Sequence, residues 1–167
     1  MQETNPGGGY LQLLLLLVFV IPAILFLITQ QNALKVIHVQ NRLMPPGQVW
    51  LQLIPIFNLF WQFIVVTKIA DSIRNEIASR QDDSILGYSD MTAVEQAGKR
   101  PTFMIGIAYG ILIIVGGIIN YGHLNNYPII YWFGPLCSFT GIICWIIYWV
   151  QLAGQKRALR RMPGLSA

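Results

Sequence analysis

Charged residues are spaced so that the sequence contains three long uncharged, mainly apolar windows. Residues 4–34, 43–67 and 101–155 contain no Asp, Glu, Lys or Arg. The last window is too long for one helix that crosses a membrane, and the polar stretch NYGHLNNYP divides it into two parts. A helix needs about 17–25 mostly apolar residues to cross a bilayer. The pattern therefore predicts four membrane-spanning helices, at residues 10–29, 50–67, 103–119 and 128–150.

The second of these helices is predicted to be long and continuous, over residues 48–80. It begins uncharged and apolar, ends charged, and contains one Pro and no Gly. Spacings of three or four residues place four polar or helix-perturbing positions on one face of its membrane half: Gln52, Pro55, Asn58 and Gln62. An unpaired amide in hydrocarbon costs free energy, so this stripe is expected to face other helices. The amides either join helices by hydrogen bonds or line a path for a substrate.

Beyond residue 67 the same face becomes apolar and carries Ile69, Ile73 and Ile77. The polar residues around them are expected on other faces: Lys68, Asp71, Arg74, Asn75 and Glu76. Residues 68–101 are therefore predicted to be an amphipathic helical extension and a connector in the cytoplasm. An apolar stripe is seldom left in water without a cover. The three isoleucines form a candidate interaction face, covered by the connector, by a second copy of the chain or by another protein.

Small residues recur at helical spacing in the third and fourth predicted helices. They are Gly106, Gly110 and Gly117 in the third, and Gly134, Ser138 and Gly141 in the fourth. Small side chains let the backbones of membrane helices approach closely. Since only a short loop joins these two helices, they are predicted to pack as an antiparallel hairpin.

Composition supports a membrane protein, because 54% of the residues are hydrophobic and only 11% are charged. Nine Lys and Arg residues follow the second and fourth helices, including those of a basic tail at residues 152–167, and two follow the first. The positive-inside rule then places both termini in the cytoplasm. The predicted fold class is an all-α four-transmembrane-helix bundle with cytoplasmic termini and a second helix that extends into the cytoplasm. The basic residues lie at membrane edges, so nucleic-acid binding is not expected.

Three local features add little to the functional prediction: residues 30–43, His38 and the two cysteines. Residues 30–43 keep helical spacing, and they either extend the first helix or lie at the membrane interface. His38 has no second ligand at a metal-binding spacing. Cys137 and Cys144 lie seven residues apart on one predicted helix, which is too far for a disulfide. No catalytic, cofactor or metal site is therefore predicted.

One motif resembles known families. Gly47, Trp50, Ile54-Pro55 and Asn58-Leu59 form the pattern G-x-x-W-x-x-x-I-P-x-x-N-L, followed by an apolar run and a charged helical extension. This pattern resembles uncharacterised families of small multi-helix bacterial inner-membrane proteins. The resemblance implies a multi-helix fold in the cell membrane and brings no established activity or functional residue.

Three classes of function follow from these features. The favoured hypothesis is a non-catalytic subunit that binds a membrane-protein partner or a second copy of itself, through the isoleucine face. The alternative is an oligomeric channel or small-molecule carrier with an amide-lined second helix. An enzyme is least favoured, because intramembrane enzymes and proton-coupled carriers usually place an ionisable group at membrane depth, and none of the four predicted spans contains one.

Overall fold

All regular structure in the described part of the chain is helical. The computed structural model describes residues 6–82, 100, 102–121 and 128–161. Its elements are α1 (Pro6–Val36), a 3-10 turn (Val39–Asn41), a 3-10 helix (Pro46–Leu53), α2 (Pro55–Asp82), α3 (Phe103–Tyr121) and α4 (Pro128–Arg161). The predicted all-α four-helix bundle is thus confirmed. Most of the predicted connector falls on residues 83–99, outside the described residues.

Each of the four α-helices is long and apolar enough to cross a membrane. The candidate spans are Leu16–Val36, Pro55–Arg80, Phe103–Asn120 and Trp132–Arg161. Large apolar side chains cover the outer surface of these helices; Phe19 is 70% exposed, Ile56 81% and Met104 76%. Such a surface suits lipid and not water. The chain is a multi-pass membrane protein.

α1 continues beyond the predicted span and ends at Val36. Gln30, Ala33 and Leu34 are completely buried in this extension, and Ile37 is buried just after it. The first half of residues 30–43 therefore extends α1 instead of lying at the interface.

The predicted continuous helix over residues 48–80 is wrong in its first part. Residues 46–53 form a 3-10 helix, Ile54 is extended with φ −82° and ψ 111°, and α2 begins at Pro55. The proline ring disfavours helical geometry at the residue before it. Proline itself suits the first position of a helix, where its missing N–H is not needed. Ile54 N–H instead donates to the Leu51 carbonyl at 3.2 Å, and the Ile54 carbonyl accepts from Asn58 N–H at 2.8 Å.

Side-chain contacts fix the directions of α1, α2 and α4. The indole Nε1 of Trp149 donates to Thr29 Oγ1 at 2.9 Å, so these residues share one level of the bundle. Further along, just after α1 ends, His38 contacts Glu76 of α2 at 2.7 Å, and Arg80 NH1 donates to the carbonyl of Leu159 in α4 at 2.8 Å. Because the late residues of all three helices meet, α1, α2 and α4 run in the same direction.

α3 runs in the opposite direction and packs against α4 as the predicted antiparallel hairpin. Gly141 of α4 lies against Ile113 of α3. Further towards the end of α3, Asn120 Nδ2 donates to Ser138 Oγ at 3.2 Å. Residue numbers thus rise along α3 as they fall along α4.

Since α1 and α2 are parallel, residues 37–54 must run back between them; we call them the return segment. Leu43 N–H donates to Ser72 Oγ at 2.9 Å near the end of α2. Further along the segment, the Gln48 carbonyl accepts from Trp61 Nε1 at 2.9 Å, much nearer the start of α2. The segment also contacts α1, through Trp50 Nε1 and Gln31 Oε1 at 3.2 Å. It therefore fills the groove between the two parallel helices.

The small residues do not all lie where the pattern predicted. Gly134, Ser138 and Gly141 lie in the α3–α4 interface, whereas Gly106 and Gly110 lie mainly against Val66 and Phe63 of α2. The glycine of α3 that packs against Ser138 is Gly116. Gly117 has no atom within 4 Å of an added Cβ. Gly117 continues the face of Gly110 about 10 Å further along α3, where α2 has reached its exposed first turn.

Two adjacent glycines of α3 provide a test of this packing. A Cβ added at Gly116 would lie 2.9 Å from the Ser138 backbone nitrogen and 3.2 Å from the Gly134 carbonyl oxygen. Backbone atoms cannot move aside cheaply, so Gly116→Ala is expected to destabilise the protein by about 1–3 kcal/mol. Gly117→Ala is the matched control and should leave stability unchanged or slightly raised. Thermal unfolding midpoints in detergent measure both, and equal midpoints for the two variants would contradict this interface.

Candidate functional site

The candidate site is a cleft at the centre of the bundle, with a volume of about 220 Å³. All four α-helices and the return segment contribute to its walls. The lining residues are Ala23, Phe26 and Leu27 from α1, Gln52 and Leu53 from the return segment, Asn58 and Gln62 from α2, Tyr109 and Ile113 from α3, and Trp145 from α4. Since every element takes part, the cleft exists only in the assembled fold.

Three members of the predicted polar stripe line this cleft together. Gln62 is buried, and Gln52 and Asn58 are half-buried. Gln52 is on a different helix from the other two, but the turn at Ile54 places it beside the start of α2. Pro55 does not take part, because it is exposed at the first position of α2.

The sequence pattern did not indicate Gln30, which lies outside the lining and holds Gln52 in the polar wall by a hydrogen bond. Gln30 is completely buried, and its Oε1 accepts a 2.6 Å hydrogen bond from Gln52 Nε2. Gln52 Nε2 also donates to the Val49 carbonyl at 3.1 Å. The run Gln30-Gln31-Asn32 at the end of the first apolar window was the available signal, because three amides there need partners.

Asn58 has an unused acceptor in the cleft. Its Oδ1 is buried and accepts no hydrogen bond from any described residue. A buried acceptor that stays unpaired costs about 1–3 kcal/mol. Asn58 therefore offers a hydrogen-bonding position to a molecule in the cleft.

Aromatic rings form the opposite wall. The Phe26 ring packs in an edge-to-face arrangement with two other rings. Its centroid lies 5.3 Å from that of Trp145 and 6.4 Å from that of Tyr109. No Asp, Glu, Lys, Arg or His is among the lining residues. The cleft can thus donate and accept hydrogen bonds and pack against apolar groups, but its lining offers no charge.

The isoleucine face is closed within the chain. Ile69 and Ile73 are completely buried, and Ile77 packs partly buried against the same cluster. That cluster includes Met44 of the return segment and Leu159 of α4. These residues belong to neither the connector nor a second molecule, so the face is not free to receive a partner in this fold.

Glu76 lies inside the bundle, which corrects the expectation that it points away from the packing face. Its side chain is completely buried. Oε2 accepts from His38 N–H at 3.0 Å and from Asn41 Nδ2 at 2.7 Å. Oε1 accepts from Arg80 Nε at 2.8 Å and NH2 at 2.7 Å, and lies 2.7 Å from His38 Nδ1. We call Glu76, His38, Asn41 and Arg80 the Glu76 clamp, because they fasten the return segment to α2.

The burial of Glu76 has a simple geometric reason. It follows Ile73 by three residues and Ile69 by seven, so it shares their helical face. The return segment covers this face and supplies donors from His38 and Asn41. In the described residues no three His, Cys, Asp or Glu side chains are grouped so that they could hold a metal ion. Through the donors of His38 and Asn41, the return segment is joined to the buried face of α2.

Comparison with protein-family models, with curated proteins and with solved structures found no match to this chain.

Proposed function

We propose that this multi-pass membrane protein binds a small uncharged molecule with one hydrogen-bonding group in its central cleft, without changing it chemically. The observation that carries the proposal is the buried, unpaired Oδ1 of Asn58. It lies in a cleft whose other lining residues are apolar and aromatic side chains and two further amides, of which Gln52 is bonded to Gln30. A ligand that donates one hydrogen bond would satisfy Asn58 and fill the apolar remainder.

Volume and charge narrow the class of ligand. An engineered apolar cavity of about 150 Å³ binds benzene, so 220 Å³ has room for one ring and a small polar substituent. An ion is disfavoured, because its transfer into a site without a counter-charge costs far more free energy than the transfer of a neutral group. Phe26, Tyr109 and Trp145 supply the aromatic surface against which a ring would pack.

This proposal develops the carrier alternative and not the partner-binding hypothesis. The partner hypothesis depended on an apolar face without a cover, and the chain itself covers Ile69 and Ile73. An oligomeric pore would require the amides on the outer surface, whereas Gln62 is only 6% exposed and points into the bundle of one chain. A cleft within a single chain therefore suits binding or carriage of one molecule better than conduction between subunits.

A thermal-shift experiment with three related compounds tests the proposal. Benzyl alcohol has a ring and a hydroxyl donor, toluene lacks the donor, and benzoate carries a charge. We expect benzyl alcohol to raise the unfolding midpoint above the value with toluene or benzoate, because a ligand stabilises the state that it binds. Asn58→Leu should weaken benzyl alcohol binding about 2–10-fold, the value of one hydrogen bond, and should remove its advantage over toluene.

Gln151→Leu is the matched control, since Gln151 is an exposed amide outside the cleft. It should keep the preference of the unmodified protein for benzyl alcohol. Equal stabilisation by benzyl alcohol and toluene in the unmodified protein would overturn the proposal, as would unchanged benzyl alcohol binding in Asn58→Leu.

A further inference from the structure

The described basic residues gather at one end of the bundle. α1, α2 and α4 end there, and α3 begins there, so residues from distant parts of the sequence meet. We call this the basic end. Its residues are Lys35, Arg42, Lys68, Arg74, Arg80, Arg100, Lys156, Arg157, Arg160 and Arg161.

The other end of the bundle carries no described Lys or Arg. It contains the starts of α1 and α4 and the end of α3. The loop charges predicted that two basic residues, Lys35 and Arg42, lie opposite the other nine. The fold places both at the same end as the other described basic residues. Lys35 lies in the last turn of α1, and Arg42, which donates to the Lys35 carbonyl, precedes the residue that contacts Ser72. By the positive-inside rule the basic end faces the cytoplasm.

α2 reaches only part of the way from the basic end to the opposite end. Phe26 of α1 packs on Tyr148 of α4, and Val66 of α2 lies at this same level, beside Gly106. From this level α1 and α4 each continue for 20 residues towards the uncharged end, about 30 Å, and α3 continues from Gly106 for 15 residues, about 22 Å. α2 continues for only 11 residues, about 16 Å, before it begins at Pro55.

We propose that residues 46–67 form a re-entrant hairpin in the membrane. The 3-10 helix enters from the cytoplasmic side, the chain turns at Ile54 and Pro55 at intermediate depth, and α2 returns to the same side. The chain then crosses the bilayer three times, through α1, α3 and α4. The first residue of α1, Pro6, lies on the side opposite the basic end.

The surroundings of the 3-10 helix agree with this placement. Backbone that is not α-helical is tolerated at membrane depth only where protein buries it or where it lines a cavity. Val49 is completely buried, and Gln52 and Leu53 line the central cleft. The cleft lies at the tip of the hairpin, and the hairpin exists whether or not the cleft holds a ligand.

This arrangement differs from the orientation inferred from loop charges, in which both termini share the cytoplasmic side. The loop charges give that orientation only if residues 50–67 cross the whole membrane. Parallel α1 and α4 place the described ends of the chain, residues 6 and 161, at opposite ends of the bundle.

Single-cysteine labelling distinguishes the two arrangements. The background is the Cys137→Ala, Cys144→Ala double variant, and the reagent is a membrane-impermeant maleimide added to intact spheroplasts or to inside-out vesicles. Gln40→Cys, Ala78→Cys and Ala158→Cys replace exposed residues in the return segment, α2 and α4. Re-entry predicts that all three react only in inside-out vesicles, with labelling in spheroplasts at the level of the cysteine-free background.

Two further positions complete the experiment. Asn125→Cys, between α3 and α4, should react in spheroplasts under either arrangement. It is the positive control, because it shows that the reagent labels this protein from outside the cell. Asn5→Cys, before α1, should also react in spheroplasts if the chain crosses three times. Labelling of Gln40→Cys from the same side as Asn125→Cys would overturn the re-entrant hairpin, and so would labelling of Asn5→Cys only in inside-out vesicles.

Discussion

Replacing Glu76 with alanine is expected to lower the free energy of unfolding by about 3–5 kcal/mol, the usual cost of breaking a buried ion pair. The carboxylate accepts hydrogen bonds from Asn41, Arg80 and the backbone N–H of His38. Its loss leaves the Arg80 guanidinium, which is only 9% exposed, without its charged partner. It also removes the contacts through which His38 and Asn41 bind the Glu76 side chain, so the return segment should be held less firmly on α2.

Unfolding midpoints in detergent, followed by circular dichroism, measure this effect. Asp71→Asn is the matched control, because Asp71 pairs with Arg100 in a more exposed position, with side-chain exposures of 19% and 43%. An exposed pair contributes about 0–1 kcal/mol, so the control should change the midpoint little. Equal effects of Glu76→Ala and Asp71→Asn would show that the clamp does not hold the fold together.

The elements of the fold follow from the sequence because the length of an apolar run is a local property. The third and fourth predicted helices lie within α3 and α4, and the close approach of Gly141 to Ile113 follows from residue size alone. The break at Pro55 was also local and could have been predicted, since a residue before proline avoids helical geometry. The apolar pattern on both sides of it concealed the interruption.

Helix direction and the role of Glu76 could not be predicted in the same way. The parallel arrangement of α1 and α2 depends on contacts such as that of His38 with Glu76, which lie 38 residues apart in the chain. Periodicity marks a charged residue as a surface residue, because buried charges are rare without partners. The partners of Glu76 come partly from the return segment, whose position depends on the whole fold.

Only part of the candidate site could be predicted from the sequence, for a related reason. Gln52, Asn58 and Gln62 share a polar stripe, and each needs a partner inside the membrane. Which partners they find is a tertiary property. Gln30 accepts a hydrogen bond from Gln52, whereas no described residue donates one to Asn58 Oδ1. That difference separates a contact that holds helices together from a position that can receive a ligand.

Replacing Ile73 with aspartate is expected to prevent stable folding of the bundle. Ile73 is completely buried together with Ile69. A carboxylate there would lie one helical turn from Glu76, which carries the same charge and already pairs with the Arg80 guanidinium on this face. Burial of an unpaired charge in a core belongs to the class of changes that cost more than about 4–5 kcal/mol, so little folded protein should be recovered in detergent.

Ala78→Asp provides the control, because Ala78 is exposed on the same helix and the same charge is added there. Exposed substitutions of this kind usually stay within about 0.5 kcal/mol, so this variant should elute as the unmodified protein does in size-exclusion chromatography. If Ile69, Ile73 and Ile77 were instead a docking face for a second protein, Ile73→Asp would retain its unfolding midpoint and lose only that partner. The yield of folded protein, together with the midpoint where folded protein is obtained, therefore decides whether the isoleucines are core or interface, because a charge destabilises the fold only where it is buried.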